Sequence, residues 1–244
     1  MIDLLAAEWL KLRTTRLLYG MIPATVALSF AAVAGAVLAA DNAAELESTD
    51  GIRRVLSVTG TGAILVLVVG ILISAGEYRH GTAADTFLTT PRRHRVVAAK
   101  LAVGAGVGLA AGVITSVACV GIASILYAVD GATFPFGDVE VWLTLVGTLG
   151  YTTLFAILGV ALGSLVHNQV LAVAGALAWL AVIEHTLVNL VPDLGRWLPA
   201  AAGQAIVRTP LDDLLSPLAG AAVLTTYGVA IALAGIRVAA TRDA

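Results

Sequence analysis

Charge is what this chain has least of. Only 12% of its 244 residues are charged, where a soluble domain carries about 25%. The 14 Lys and Arg against 16 Asp and Glu leave a net charge of −2, so no basic excess points to nucleic acid as a partner. The single cysteine, Cys119, sits in an apolar run and excludes a disulfide framework. Strand-like alternation over ten-residue segments is missing as well, which excludes a β-barrel. Both lysines, Lys11 and Lys100, are followed by leucine, so the chain holds no G-x-x-x-x-G-K-[ST] phosphate loop. H-E-x-x-H and G-x-S-x-G are absent too, and His80, His94, His167 and His185 are too scattered for a shared metal site. These gaps argue against an enzyme and leave catalytic and metal-ligating residues at none.

What the chain has is apolar length. Apolar residues make up 59% of it and the mean hydropathy is +0.95. A helix crossing a hydrocarbon core of about 30 Å needs about 20 such residues. Six runs meet that need: Leu17–Ala40, Val55–Ala75, Leu101–Val129, Trp142–Val166, Val170–Val191 and Leu218–Ile236. The expected fold is all-α, a single polytopic membrane domain over residues 1–244 with six transmembrane helices. The first run is about 24 residues, longer than the ~7–15-residue core of a signal peptide, and reads as a span.

Lys and Arg set the orientation. With the N-terminus inside, the inner face receives Lys11, Arg13, Arg16, Arg79, Arg92, Arg93, Arg95, Lys100, Arg237 and Arg242. The outer face receives only Arg53, Arg54, Arg196 and Arg208. Acidic residues from Asp41 to Asp50, Asp130 to Glu140 and Asp193 to Asp213 gather outside. Both termini are expected in the cytoplasm, with Tyr19, Tyr78, Tyr127 and Trp142 as interface aromatics.

Three segments outside the spans carry information. Residues 1–16 read as an amphipathic helix lying on the inner leaflet, Trp9 at headgroup level and cations towards anionic lipid. Residues 77–100 form the long cytoplasmic loop. In it, Thr82 and Asp85 have the spacing of a helix cap, Ala83–Thr90 make about two turns presenting Phe87 and Leu88, and Pro91 ends them. Such a helix suits docking. Residues 192–217 hold Pro192, Pro199, Pro210 and Pro217 around apolar pieces such as Trp197–Ala202 and Gln204–Val207, too short to cross. They read as an outer re-entrant segment, permitted where protein or water satisfies the backbone. Asp41–Arg54 and Asp130–Val141 read as polar connections, and the turn His167-Asn168-Gln169 as too short to contact much. Gly104, Gly108 and Gly112 with Ser116, and Gly159 with Gly163, recur at four-residue spacing and predict close helix packing.

Glu184 interrupts the fifth run, beside His185. An ionisable residue inside a span is costly and is a functional candidate by default. Two uses are open: contact with a substrate or ion, or a structural tie to the 192–217 segment.

Glu77-Tyr78-Arg79-His80-Gly81-Thr82, then Thr86-Phe87-Leu88, Pro91, Arg93 and Lys100, closely resemble the signature of type-2 ATP-binding-cassette (ABC) permeases. Glu8-Trp9-Leu10-Lys11-Leu12-Arg13 is similar to their elbow helix. The ending Arg242-Asp243-Ala244 and the Ala, Gly and Val richness resemble bacterial, actinobacterial members. The resemblance implies a permease subunit without an ATPase site, working with two copies of an ATPase chain that binds ATP and Mg. It also implies a second permease chain, identical or paralogous. Ala83–Thr90 would be the coupling helix, with Glu77 and Arg79 fixing its hinge and Gly81 its turn. The resemblance further implies a place in the bacterial inner membrane and export of a small hydrophobic drug, peptide or lipid-like compound, as in the drug and antibiotic-resistance type. The alternative is an autonomous ion- or proton-coupled carrier using Glu184.

Overall fold

The structure is a computed structural model that describes residues 2–79, 81 and 93–241. Among the described residues the regular elements are all helical. A short helix α1 (Ile2–Thr14) precedes α2 (Leu17–Leu38). Next come α3 (Ala43–Glu47) and α4 (Thr49–Ser57), which runs through a 3₁₀ turn at Val58–Gly62 into α5 (Ala63–Arg79). Helices α6 (Arg93–Val129) and α7 (Val139–Leu165) are long and continuous. The next span is broken into α8 (Gln169–Ala178), a π-helical stretch at Trp179–Glu184, and α9 (His185–Leu190). Two short helices, α10 (Pro192–Gly195) and α11 (Pro199–Ile206), lead to α12 (Pro217–Thr241).

Among the described residues six helical stretches are long and apolar enough to cross a bilayer: Leu17–Leu38, Thr49–Arg79, His94–Val129, Val139–Leu165, Gln169–Leu190 and Pro217–Val238. They overlap the six runs read from the sequence, but the second and third start earlier, at Thr49 and His94. Asp41–Arg54 is therefore not an ordinary connection. Asn42 and Ser48 each accept a backbone N–H, from Glu45 and Gly51, and so cap α3 and α4. That lets the second span begin at Thr49.

The second span is the axle of the bundle, 72% buried over its apolar window, whereas the fifth is 11% buried. Between apolar helices in lipid there is no hydrophobic drive to associate, so close contact depends on small residues. Gly159 and Gly163 supply it where α7 crosses α5, and Gly104, Gly108 and Gly112 where α6 crosses α7. A Cβ at Gly163 would stand 2.6 Å from the Ile71 carbonyl oxygen, and one at Gly108 2.7 Å from that of Thr152. These glycines serve packing within one chain.

The 3₁₀ turn interrupts the axle and frees backbone groups that must find partners. Ser29 of α2 supplies both: its hydroxyl donates to the Thr59 carbonyl at 2.9 Å and accepts from the Gly62 N–H at 3.0 Å. The Thr59 and Thr148 hydroxyls meet at 2.7 Å, which fastens the break to α7.

Three further expectations change. Tyr127 ends its span but turns inward, 1% exposed, and donates to the Leu46 carbonyl at 3.0 Å. Tyr19 and Trp142 remain exposed. The turn at His167 does make contact, because the Tyr78 ring stands edge-on to it with centroids 4.2 Å apart. Trp197–Ala202 and Gln204–Val207 are not separate pieces, since Pro199–Ile206 is one helix. Pro199 fits its first turn because no N–H is needed there.

Candidate functional site

One end of the bundle, where α1, the end of α5 and the start of α6 meet, is basic. The sequence places Glu8 and Lys11 one turn apart on α1, while Glu77 and Lys100 flank the long loop. The structure closes these four into a ring. Lys11 Nζ lies 2.7 Å from Glu8 Oε1 and 2.7 Å from Glu77 Oε1. Lys100 Nζ lies 2.7 Å from Glu8 Oε2 and 2.8 Å from Glu77 Oε1. Two carboxylates and two ammonium groups balance, which lets them sit out of water. Glu8 is 3% exposed and Lys100 4%, whereas the Lys11 side chain is 46% exposed. Burial works against the Lys11 ammonium, but its hydrogen bonds to Glu77 and Glu8 outweigh it and hold its pKa above the ordinary lysine value.

The ring sets the direction of two side chains. Glu8 lies on the inward stripe of α1 with Leu5 and Leu12, which pack against Val69, Ile73 and Val103. Trp9 and Arg13 are on the exposed side. Glu77 faces Lys11 and Lys100. The ring therefore joins the N-terminal helix to both ends of the loop at once. The spacing Leu5, Glu8, Leu12, all on one helical face, was the signal in the sequence for an inward Glu8.

Beside the ring, a cleft of about 530 Å³ runs between α1, the start of α2 and the end of α5. Glu8, Lys11, Glu77, Arg79 and Gln169 give it a polar wall, and Leu12, Leu72 and Ile73 an apolar floor. Gly81 follows with φ of +69°, a left-handed conformation that suits glycine. His80, Thr82, Asp85, Thr86, Phe87 and Leu88, with the whole expected helix Ala83–Thr90, lie outside the described residues.

At the opposite, acidic end, Glu140 in the first turn of α7 collects two arginines. Arg53 Nε and Arg208 Nε each stand 3.1 Å from its Oε2, and a second Arg208 nitrogen 3.2 Å from Oε1. The start of the second span, the start of the fourth and the residue just after α11 are thereby tied together. Arg208 takes a left-handed backbone, φ 59°, as α11 ends.

Glu184 lies between these ends. It is 1% exposed, and its Oε1 accepts from the backbone N–H of Ala200 and, at 3.1 Å, of Ala201. Those are orphan donors of the first turn of α11, whose own N-cap position holds Leu198, with no capping side chain. Glu184 thus caps a helix whose first-turn donor, Ala200, lies sixteen residues further on. His185, one position along, is exposed. The structure does not bring the two to one place.

The family model of ABC-2 family transporter proteins matches residues 4–183, from α1 through the π-helical stretch. No curated protein matches the chain. The match covers the four members of the charge ring, both flanks of the loop, four whole spans and the first part of the fifth. As an integral membrane protein with six apolar helices and a transport-subunit profile over most of its length, the chain belongs to the ABC-2 family of transporter proteins.

Proposed function

We propose that the chain is the permease subunit of an ABC exporter, forming the path for a small hydrophobic compound while a separate chain hydrolyses ATP. Two permease chains and two ATPase chains make the working complex, in the inner membrane of a bacterium, with both permease termini in the cytoplasm. The buried ring Glu8–Lys11–Glu77–Lys100 carries this reading, because it fastens α1 to both ends of the one long loop. A push on that loop then moves α1, the second span and the third span as one body. Packed elements with fixed charge contacts pass displacement on better than a flexible linker does.

The coupling element in this reading is Ala83–Thr90, with Phe87 and Leu88 against the ATPase and Gly81 allowing the turn that leads to it. Elbow helix is the role given to α1, with Trp9 and Arg13 towards the lipid. A cavity of about 480 Å³ walled by Leu67, Leu158, Leu162, Trp179, Leu180 and Ile231 supports a hydrophobic cargo. Its apolar lining offers nothing to a strongly hydrated solute. Drug export with antibiotic resistance is the transport type this reading proposes. The cap that Glu184 makes on α11 favours a structural use of that residue over ion coupling.

Purification of the tagged chain in mild detergent from its own host tests the proposal. An ATP-hydrolysing partner chain is expected in equal amount and lost with Phe87→Asp. Glu77→Ala is expected to insert normally and to abolish ATP-linked transport. A chain that arrives alone and stimulates no ATPase in reconstituted vesicles overturns the reading.

A further inference from the structure

Three stretches of the membrane region depart from α-helical geometry, and they come from three different parts of the chain. They are the 3₁₀ turn at Val58–Gly62, the π-helical stretch at Trp179–Glu184, and the turn after α11, where Arg208 has φ 59°. All three border one cavity of about 370 Å³. Irregular backbone at membrane depth is tolerated where it is buried in protein or lines a cavity. Three such stretches around one chamber mark it as a place the chain is shaped around, and π-type turns recur at functional sites.

The lining fits one chemical class. It contains no charged side chain. Thr61, Tyr151, Gln204 and Thr209 present neutral hydrogen-bonding groups, and none of these side chains is engaged in a hydrogen bond among the described residues. Phe155 and Leu180 supply apolar surface beside them. A few neutral polar groups set in an apolar wall orient a ligand without the cost of burying a charge. The apolar cavity lined by Leu67 and Leu158 has no comparable set of free polar groups.

We infer that this chamber, formed within one subunit towards its acidic end, binds an uncharged amphiphile that carries hydroxyl or ester groups. The inference deepens the exporter reading by naming a ligand class and a place, but its test needs neither nucleotide nor a partner chain.

Cys119 is the sole cysteine and is buried, so an introduced cysteine reports alone. The experiment uses the full chain with Gln204→Cys in phosphatidylcholine vesicles and follows labelling by N-ethylmaleimide. With 1,2-dioctanoylglycerol as probe, labelling is expected to slow about five-fold or more, as for a site held mostly occupied. Tetraphenylphosphonium, a hydrophobic cation, is expected to leave the rate unchanged. Leu218→Cys, exposed at the start of α12 and away from the chamber, is expected to label at one rate throughout. Adding Ala181→Trp to the Gln204→Cys chain fills the chamber and is expected to remove the protection. No slowing at Gln204→Cys, equal slowing at Leu218→Cys, or protection by the cation in place of the glyceride overturns the inference.

Mass analysis of lipid carried by the purified chain separates two sources of the same chemistry. A neutral glycerolipid retained in equal amount identifies a resident membrane component. A chain free of such lipid yet protected by added dioctanoylglycerol identifies a site filled by a passing ligand. Because ATP plays no part, loss of the exporter reading leaves this result standing, and the reverse also holds.

Discussion

The two ends of the bundle are both held by ion pairs, yet they are built differently. At the basic end, Glu8 and Lys100 lie almost out of water and the four charges close on themselves. At the acidic end, the Arg53, Arg208 and Glu140 side chains stay 30%, 27% and 15% exposed. Water weakens the second cluster and screens it, whereas Glu8 and Lys100 of the first meet their ring partners almost out of water's reach. The basic end is thus a joint that resists coming apart in pieces. The acidic end is a clasp that can open at low cost.

That contrast breaks most sharply at Lys100. Lys100→Met leaves two buried carboxylates sharing the half-exposed Lys11, and removal of one partner from a buried pair costs about 3–5 kcal/mol. Unfolding in mixed micelles of dodecylmaltoside and SDS measures it. Glu8→Leu added to Lys100→Met removes the stranded charge and is expected to recover part of the loss. A Lys100→Met chain as stable as the parent removes the claim that the ring is a rigid joint.

The next effect belongs to Glu184. As a cap on α11 it needs an acceptor oxygen more than a charge, so Glu184→Gln is expected to keep near-parental stability, and Glu184→Leu to lose about 1–2 kcal/mol, the range for a lost helix cap. The same micelle titration reads both. Equal loss from Gln and Leu would show that the charge itself is needed. Glu140→Gln sits lower on the scale. It weakens two partly exposed pairs, each worth about 0.2–1 kcal/mol, and the loss is expected to shrink in high salt. A cost matching that of Lys100→Met would erase the distinction between joint and clasp.

The spans were legible because hydropathy is a local property, and six runs in the sequence became six helices with small shifts at their ends. Gly159 and Gly163 likewise announced close packing through spacing alone. What could not be read was pairing at a distance. Glu8 and Lys100 are 92 positions apart, and nothing near either names the other. For Glu184 the sequence left two uses open, substrate contact or a tie to the 192–217 segment, because its partners are backbone N–H groups of α11 and a backbone donor leaves no mark in a sequence. Tyr127 misled for a related reason: position at a span end fixes depth, not the direction in which the ring turns. The break at Val58–Gly62 had a cue in Thr59-Gly60-Thr61-Gly62, but its support from Ser29 comes from another span.

The smallest expected effects separate the ends by pH, in opposite directions. Lys11 has its pKa raised, burial opposing and the Glu77 and Glu8 hydrogen bonds prevailing. Its contribution is therefore complete below the ordinary lysine value and is lost as pH rises through the folded one. Glu45, at the acidic end, has its pKa lowered by the Asp41 backbone N–H and then by Arg54. Its contribution is present above the ordinary carboxylate value and is lost as pH falls through the folded one. A bimane dye on Leu10→Cys is expected to report loosening of α1 only in the alkaline limb, above about pH 10.4. The same dye on Asp50→Cys is expected to report loosening beside α3 only in the acid limb, below about pH 4.3. Loosening of both positions in the same limb would mean that the bundle opens as one unit, and the two ends would then not be separate devices.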